Sequence, residues 1–426
     1  MKVAFYNLGC KVNSYELAAI EFIFRTNGFE VVDFNSFSDV YVINTCSVTN
    51  QSDVKSRKYI RACKRRNINA CVAVMGCYSQ LNSDKCLEIG ADIVLGTNNR
   101  NKLPELVFEF LKNKNKKALI TPSKEIKEYE KLEATEFEHT RAFLKIQDGC
   151  NNFCSYCIIP YARGRMRSKA PDDVISESIK IVNKGYKEIV LSGIHTGGYG
   201  VDINYPFSKL VKRILDEVKG LERLRISSIE INQIDDTLLD LIKNNKVMCH
   251  HLHLPVQSCS NHVLKDMNRH YTIEEYKNRI NEIRSIIPDI SITTDIIIGY
   301  PIETEEDFNE TIKNVLEIEF SFMHIFPFSK RSGTKCDKYQ ELNGLIMKDR
   351  FNRLNKINLE LAKKYANKFL DMKLDFIPEE YIDGYLYGHT NNFLKVKVEG
   401  KREEIGQIKE ILIKKADFPL CEGKML

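Results

Sequence analysis

The chain reads as an α/β protein in three blocks: an N-terminal doubly wound parallel sheet, a central partial (βα)6 barrel and a small C-terminal β-barrel. Three observations predict this. Strand-like and helical periodicities alternate over residues 2–111, and a second alternating series starts at Ala142. A polar, lysine-bearing stretch separates the two. The last 51 residues abandon the helical pattern for short β-like runs broken by glycines. Alternation of strand and helix favours a parallel sheet, and a glycine-punctuated β-rich tail favours a small barrel. A length of 426 residues suits two to four domains at roughly 100–200 residues each.

In the first block the apolar runs Val3–Asn7, Val40–Asn44, Ala70–Met75 and Asp92–Leu95 predict strands. The spacing of Ser14–Asn27, Ser52–Arg66 and Asn101–Leu111 predicts helices. Residues 113–139 have the composition of a linker, so the first domain is expected over 1–112. In the second block strands are expected at Phe143–Gln147, Glu188–Leu191, Leu224–Ser228, His251–Leu254, Ser291–Ile298 and Phe320–Phe326. Helices are expected at Asp172–Lys184, Phe207–Lys219, Ile273–Ile286 and Glu305–Ile318. Six strand–helix units fall two short of a closed eight-fold barrel. Gly344–Lys373 predicts one long basic helix leading out of it, which sets this domain at 140–373. Tyr381–Leu386, Phe393–Val398 and Ile405–Ile413 are the expected strands of the last domain, 374–426.

Composition excludes several classes. The chain is 43% hydrophobic and 28% charged, as a folded core with a hydrated surface requires. Its 63 Lys+Arg against 58 Asp+Glu leave a net charge of +5, too balanced for a histone-like coat but compatible with local basic patches. Thirteen cysteines are an odd number and sparse for this length, which argues against a disulfide scaffold. The N-terminus lacks a signal-peptide h-region, and no apolar run reaches the ~18 residues of a membrane span. A cytoplasmic protein is therefore expected, in which thiols stay reduced.

The cysteines then sort by position. Cys150, Cys154 and Cys157 form a C-x3-C-x2-C loop directly after the first strand of the second block. Thiolates are soft ligands that suit iron–sulfur clusters, and most 4Fe-4S clusters take four cysteines. Three thiols would leave one iron open to a small molecule, with Tyr156 shielding the cluster. A zinc knuckle is the alternative, though it needs a fourth ligand. Cys10, Cys46 and Cys77 each end a predicted parallel strand of the first block. Carboxyl ends of parallel strands share one edge, where ligands gather, so these thiols are expected to meet as a second incomplete ligand set. Cys63, Cys71, Cys86, Cys249, Cys336 and Cys421 lack partners at ligand spacing and read as core thiols.

The C-x3-C-x-aromatic-C loop resembles that of the radical S-adenosylmethionine superfamily. With the three-cysteine first block and the terminal β-domain, the whole chain resembles the methylthiotransferases. The matching motifs are Leu8-Gly9-Cys10-Lys11-Val12-Asn13, Asn44-Thr45-Cys46, Gly76-Cys77-Tyr78-Ser79-Gln80 and Ile158-Ile159-Pro160-Tyr161-Ala162-Arg163-Gly164-Arg165. They continue with His251-Leu252-His253-Leu254-Pro255-Val256-Gln257-Ser258, Met267-Asn268-Arg269-His270-Tyr271-Thr272 and Thr294-Asp295-Ile296-Ile297-Ile298-Gly299-Tyr300-Pro301. The tail Gly384-Tyr385-Leu386-Tyr387-Gly388-His389-Thr390-Asn391 resembles the RNA-binding TRAM module. Lys11-Val12 after the first cysteine is similar to the branch acting on N6-threonylcarbamoyladenosine beside the tRNA anticodon. The isopentenyladenosine branch usually has Gln-Met there, and the branch acting on a ribosomal protein has Pro-Lys. Cys259 and Ile302 stand where the family keeps glycine, and side chains there are expected to narrow the adenosine pocket or shift its loop.

The resemblance implies two 4Fe-4S clusters, one on Cys150, Cys154 and Cys157 and an auxiliary one on Cys10, Cys46 and Cys77. It implies S-adenosylmethionine as cofactor, a 5′-deoxyadenosyl radical that removes hydrogen at carbon 2 of the adenine, and methylthio transfer from the auxiliary cluster. Tyr156, Ser192, Gly193, Ser228, Glu230, Gln257 and Asp295 are the expected cofactor contacts. The expected partners are a tRNA anticodon loop, a one-electron reductant and a sulfur donor, with the chain acting as a monomer away from membranes. The competing readings are methylthiolation of isopentenyladenosine or of a ribosomal protein, and a non-catalytic iron–sulfur or zinc RNA-binding protein. For RNA, Lys55, Arg57, Lys58, Arg61, Lys64, Arg65 and Arg66 place seven cations in twelve residues. Arg163, Arg165, Arg167 and Lys169 add a second group. The last 51 residues carry 8 Lys/Arg against 9 Asp/Glu. Stacking by Tyr385, Tyr387, His389 and Phe393 is therefore expected to matter more there than bulk charge.

Overall fold

The computed structural model describes residues 1–426. The first sheet contains β1 (Lys2–Asn7), β2 (Glu30–Val32), β3 (Val40–Thr45), β4 (Cys71–Gly76), β5 (Ile93–Leu95) and β6 (Lys117–Leu119). They run parallel in the order β2-β1-β3-β4-β5-β6. Its helices are α1 (Lys11–Thr26), α2 (Asn50–Arg66), α3 (Cys77–Leu81), α4 (Ser83–Glu88) and α5 (Leu103–Asn113). Every residue of β3 and β4 is buried, as central parallel strands covered on both faces require. β2 and β6 are three-residue edge strands, partly exposed and without the buried apolar run that marks a central strand. β6 lies inside the stretch expected to be linker and completes the sheet. Further on in that stretch Leu132 and Ala134 are buried and Glu130 pairs with Arg100. Polar composition concealed these few anchors.

The second block is an arc of six parallel strands: β7 (Arg141–Asp148), β9 (Glu188–Gly193), β10 (Arg223–Ile226), β11 (His251–His253), β12 (Ser291–Ile298) and β13 (Phe322–Pro327). Only the isolated bridge Leu224–Met248 links β10 toward β11, so the arc is splayed there. The short β8 (Arg167–Ser168) adds antiparallel to β7. The covering helices are α6 (Ile159–Arg163), α7 (Pro171–Asn183), α8 (Phe207–Glu217), α9 (Asp236–Asn244), α10 (Asn261–Asp266), α11 (Ile273–Ile286) and α12 (Glu305–Ile318). Capping boxes at Thr272/Glu275 and Thr304/Asp307 set the starts of α11 and α12.

The exit helix α13 spans Gly344–Asn367, six residues shorter than expected. Asp371 turns left-handed (φ 57°) and delivers the chain to β14 (Lys373–Ile382). β14, β15 (Tyr385–Thr390), β16 (Lys395–Glu399), β17 (Lys409–Lys415) and β18 (Cys421–Met425) form a closed barrel. The expected single strand Tyr381–Leu386 is instead split by an Asp383-Gly384 turn with positive φ at both residues, the signature of a two-residue hairpin.

A buried ionic network joins the first two blocks. Glu16 of α1 lies against Arg100 Nη1 (2.5 Å), Lys145 Nζ (2.7 Å) and Arg163 Nη1 (2.7 Å). Asp148 at the end of β7 meets Lys145 (2.6 Å) and Arg163 (3.0 Å). Burial alone would raise both carboxyls. The surrounding cations win and hold both well below the usual carboxylate range.

A carboxyl depressed in the folded state adds stability above its unfolded pKa of about 4, and that stability is lost as pH falls. Glu16→Gln should therefore cost about 3–5 kcal/mol near neutral pH, the usual cost of breaking a buried pair from one side. The difference from wild type should shrink on acidification below about pH 4. Urea unfolding at a series of pH values checks both.

Candidate iron–sulfur and nucleoside site

The dispersed cysteines converge for a topological reason. Cys10, Cys46 and Cys77 follow the carboxyl ends of β1, β3 and β4, which are neighbours in the sheet. Cys10 caps α1 and Cys77 opens α3, each after a glycine with positive φ, Gly9 (112°) and Gly76 (107°). A Cβ on Gly76 would lie 2.4 Å from the Thr45 carbonyl oxygen, so only glycine lets β4 turn there. Asn13 of the same motif ties the strand ends together. Its Nδ2 donates to the carbonyls of Leu8 (2.6 Å) and Thr45 (3.2 Å), while Asn44 donates to its backbone oxygen (2.9 Å).

Cys46 and Cys77 are buried and Cys10 is exposed. Burial pushes the Cys77 thiol up to about 12, opposed by Arg163, whose Nε donates to its sulfur at 3.3 Å. Burial raises Cys46 as well. Buried thiols of this kind need a neighbouring cation or metal to become thiolates.

The second set sits on the loop after β7. Gly149 (φ 70°) starts it, and a Cβ there would lie 2.0 Å from the Arg165 carbonyl oxygen. The loop folds back through Cys150 N–H to the Gly164 oxygen (3.1 Å) and Cys157 N–H to the Cys154 oxygen (2.9 Å). Donors already face the sulfurs: Asn152 N–H on Cys150 (3.5 Å) and Arg269 Nη1 on Cys154 (3.7 Å). Burial lifts Cys150 to about 11 and Cys157 to about 12. Three soft thiols on a glycine-tight loop, with N–H donors on their sulfurs, fit a 4Fe-4S cluster with one open iron.

A cavity of about 120 Å³ opens beside Cys154, lined by Asn152, His195, Glu230, Gln233 and Arg269 among others. Glu230 is held by both terminal nitrogens of Arg269. His195 bonds Gln233 (2.7 Å) and leaves its buried Nδ1 without a partner. Burial lowers its pKa, so it sits there as a neutral ring. Sequence reasoning missed His195 and Arg269 as lining residues. His195 follows the expected Ser192-Gly193 by two positions, and Arg269 stands inside a quoted motif.

The remaining expected contacts divide. Ser192 is buried with its hydroxyl on the Leu144 carbonyl (3.2 Å), and Gly193 pairs with Gln147. Ser228 is half-buried just beyond β10. Tyr156 packs beside the apolar group of Met267 and Tyr300. Gln257 adopts a left-handed φ of 71° and bridges to Ile296. Asp295 meets His253 Nε2 at 3.3 Å, and His253, Asp295 and His324 bring ligand-type atoms within 4.8 Å of one another.

Cys259 and Ile302, which stand where the family keeps glycine, both lie in apolar surroundings. Cys259 is fully buried in the main hydrophobic core, and Ile302 packs against the apolar group around Tyr300 and Cys336. Neither lines the cavity beside Cys154. Several cations expected on phosphate are also engaged elsewhere. Arg163, Arg167 and Lys169 are buried in ion pairs. On α2, Arg66 donates to the Phe34 carbonyl and Lys64 pairs with Asp92, while Lys55, Lys58, Arg61 and Arg65 stay exposed. Phe393 stacks between His251 (4.5 Å) and His389 (4.6 Å) under Arg141 and Arg225, so it closes the barrel instead of facing RNA. Tyr385 remains exposed.

Gly149→Ala should displace the cysteine loop and lower iron retention after reconstitution, with about 1–3 kcal/mol of backbone strain. Gly185→Ala is the control, because Gly185 has φ 97° but open space around it. Iron analysis of both variants tests the tight loop itself.

Comparison with known proteins agrees with this geometry. Residues 144–315 match the Radical SAM superfamily, and residues 2–96 match Uncharacterized protein family UPF0004. Threonylcarbamoyladenosine tRNA methylthiotransferase MtaB of Bacillus subtilis is 42% identical, covering 100% of this chain and 96% of that protein. Its namesake in Aquifex aeolicus is 37% identical over 97% of this chain and 100% of that one. The tRNA-2-methylthio-N(6)-dimethylallyladenosine synthase of Clostridium tetani is 34% identical over 98% and 94%. Among solved structures, the radical S-adenosylmethionine methyltransferase TsrM from Kitasatospora setae aligns with a TM-score of 0.57 at 13% identity, covering 76% of this chain and 72% of that one. At that identity the likeness concerns the fold. With full-length identity to named enzymes and a three-cysteine loop in the radical S-adenosylmethionine barrel, the chain belongs to the radical S-adenosylmethionine tRNA methylthiotransferases, enzymes that use a 4Fe-4S cluster and S-adenosylmethionine.

Proposed function

We propose that this enzyme inserts a methylthio group at carbon 2 of N6-threonylcarbamoyladenosine next to the tRNA anticodon. The observation that carries the reading is the pairing of two three-thiol sets across one buried seam. Arg163 reaches Asp148 at the base of the radical loop and Cys77 of the second set. Cys150, Cys154 and Cys157 would hold a cluster that supplies one-electron reduction of S-adenosylmethionine, and Cys10, Cys46 and Cys77 would hold a second one that supplies the sulfur. The protein's own contribution is position. The seam holds both sets at a fixed separation, and Glu230, Arg269, Ser192, Gly193, Ser228, Tyr156 and Gln257 form the cofactor side of the chamber.

The relatives named for threonylcarbamoyladenosine are 42%, 37% and 34% identical, against 33–35% for those named for dimethylallyladenosine, and the two highest values favour the former substrate. The exposed cations of α2 and Tyr385 of the terminal barrel are the surfaces offered to tRNA. The reductant and the sulfur donor come from outside the chain. The domains we assign are 1–112, 140–373 and 374–426, with 113–139 between them.

Mass spectrometry of tRNA nucleosides from a deletion strain should show loss of 2-methylthio-N6-threonylcarbamoyladenosine and its return with the gene. An unchanged profile removes the assignment. Two clusters predict about eight irons per reconstituted chain. Replacing either cysteine set by alanine should leave about four, read by iron and sulfide analysis. Four irons in wild type would exclude the auxiliary cluster.

A further inference from the structure

Close to Cys10, the inner face of the barrel carries polar groups that neither thiol set uses. Lys11 follows Cys10 directly, begins α1 and keeps an exposed side chain. It makes no hydrogen bond, and its charged neighbours are Arg141, Arg225, Cys10 and Asp295. Opposite, β11, β12 and β13 present His253, Asp295 and His324. His253 Nε2 lies 3.3 Å from Asp295, its Nδ1 is 2.9 Å from Thr293 Oγ1, and its ring is 5.6 Å from that of His324. His324 is exposed on this face.

We infer that Lys11, Asp295 and His324 form the specificity pocket for the threonyl end of the N6 substituent. Lys11 takes the carboxylate, Asp295 accepts from the side-chain hydroxyl, and His324 closes over the carbamoyl group. This rests on the proposed function and deepens it.

The chemistry matches group by group. A threonylcarbamoyl substituent brings one carboxylate, one hydroxyl and urea N–H groups, and the pocket offers one unpaired ammonium, one carboxylate and an imidazole. On the purine, C6 and C2 flank N1 on a single edge. A substituent on N6 therefore lies close to the carbon that receives sulfur, and Lys11 lies beside a thiol of the set proposed to supply it. An isoprenoid substituent would leave Lys11 desolvated and unpaired, and a site built for polar partners rejects such an analogue strongly. His253 is held by Thr293 and positions Asp295.

The test uses the reconstituted two-cluster enzyme and one tRNA in two forms, carrying threonylcarbamoyladenosine or unmodified adenosine. The readout is the ratio of the two dissociation constants. Wild type should favour the modified tRNA, and Lys11→Met should cut that ratio roughly 10–100-fold, as expected for loss of a charge-assisted bond. Lys11→Arg should retain most of it, and His324→Phe, on a different element, should reduce it. Iron content of each variant shows that the neighbouring cysteines still hold their cluster. An unchanged ratio in Lys11→Met overturns the pocket while 2-methylthio product from wild type keeps the function. A divalent ion retained stoichiometrically by wild type and lost in His324→Phe also overturns it, since the trio would then be a metal site. Absence of that product from wild type overturns the function, and the pocket with it.

Discussion

The structure depends on a guanidinium with no access to water. Arg163 is fully buried and satisfied by Glu16, Asp148, Asn13 and the Cys77 sulfur. The partners come from three places: α1, which carries both Asn13 and Glu16, the end of the first barrel strand, and the third cysteine motif. Removing a charge of this size from water is expensive, and the cost is offset only when every donor finds its acceptor. The two blocks are thereby locked in one relative position. A second contact repeats the arrangement at the far end of the barrel, where Arg331 donates to Asn50 (2.7 Å), Ser47 (2.8 Å) and Asp53 (2.6 Å) around the loop that carries Cys46.

That rigidity has a chemical purpose in the proposed reaction. A radical made at one site and a sulfur held at another must meet the same carbon, and small misplacements cost rate steeply. Parallel topology supplies the coarse placement, because all carboxyl ends in a parallel sheet face one way. The ionic seam supplies the fine placement. The terminal barrel contributes a third constraint. The backbone oxygens of His389, Thr390 and Asn391 accept from Arg223 and Arg225, and Phe393 stacks on His251, so this barrel plugs the chamber from beside the strand starts.

Both thiol sets were legible in the sequence, because spacing after a strand is a local property. The helices α11 and α12 and the six-strand arc were legible for the same reason. The edge strands β2 and β6 were not, since both are short and partly exposed and carry no continuous apolar run. The roles of Arg163, Arg167, Lys169 and Phe393 were misread as RNA contacts. Charge and aromaticity are visible in a sequence, but whether a side chain meets water or a buried carboxylate is not.

By itself, then, the sequence determined the fold class, the grouping of six cysteines into two sets at strand ends and the family, all of which rest on residue type and short-range spacing. Only the tertiary structure decided which cations are free, that Glu230 is held by Arg269, and that Asp295 faces His253 and His324 across the chamber from Lys11. These pairings join residues tens to hundreds of positions apart. They are selected by the free energy of burying a charge, a quantity that exists only once the chain has closed around it.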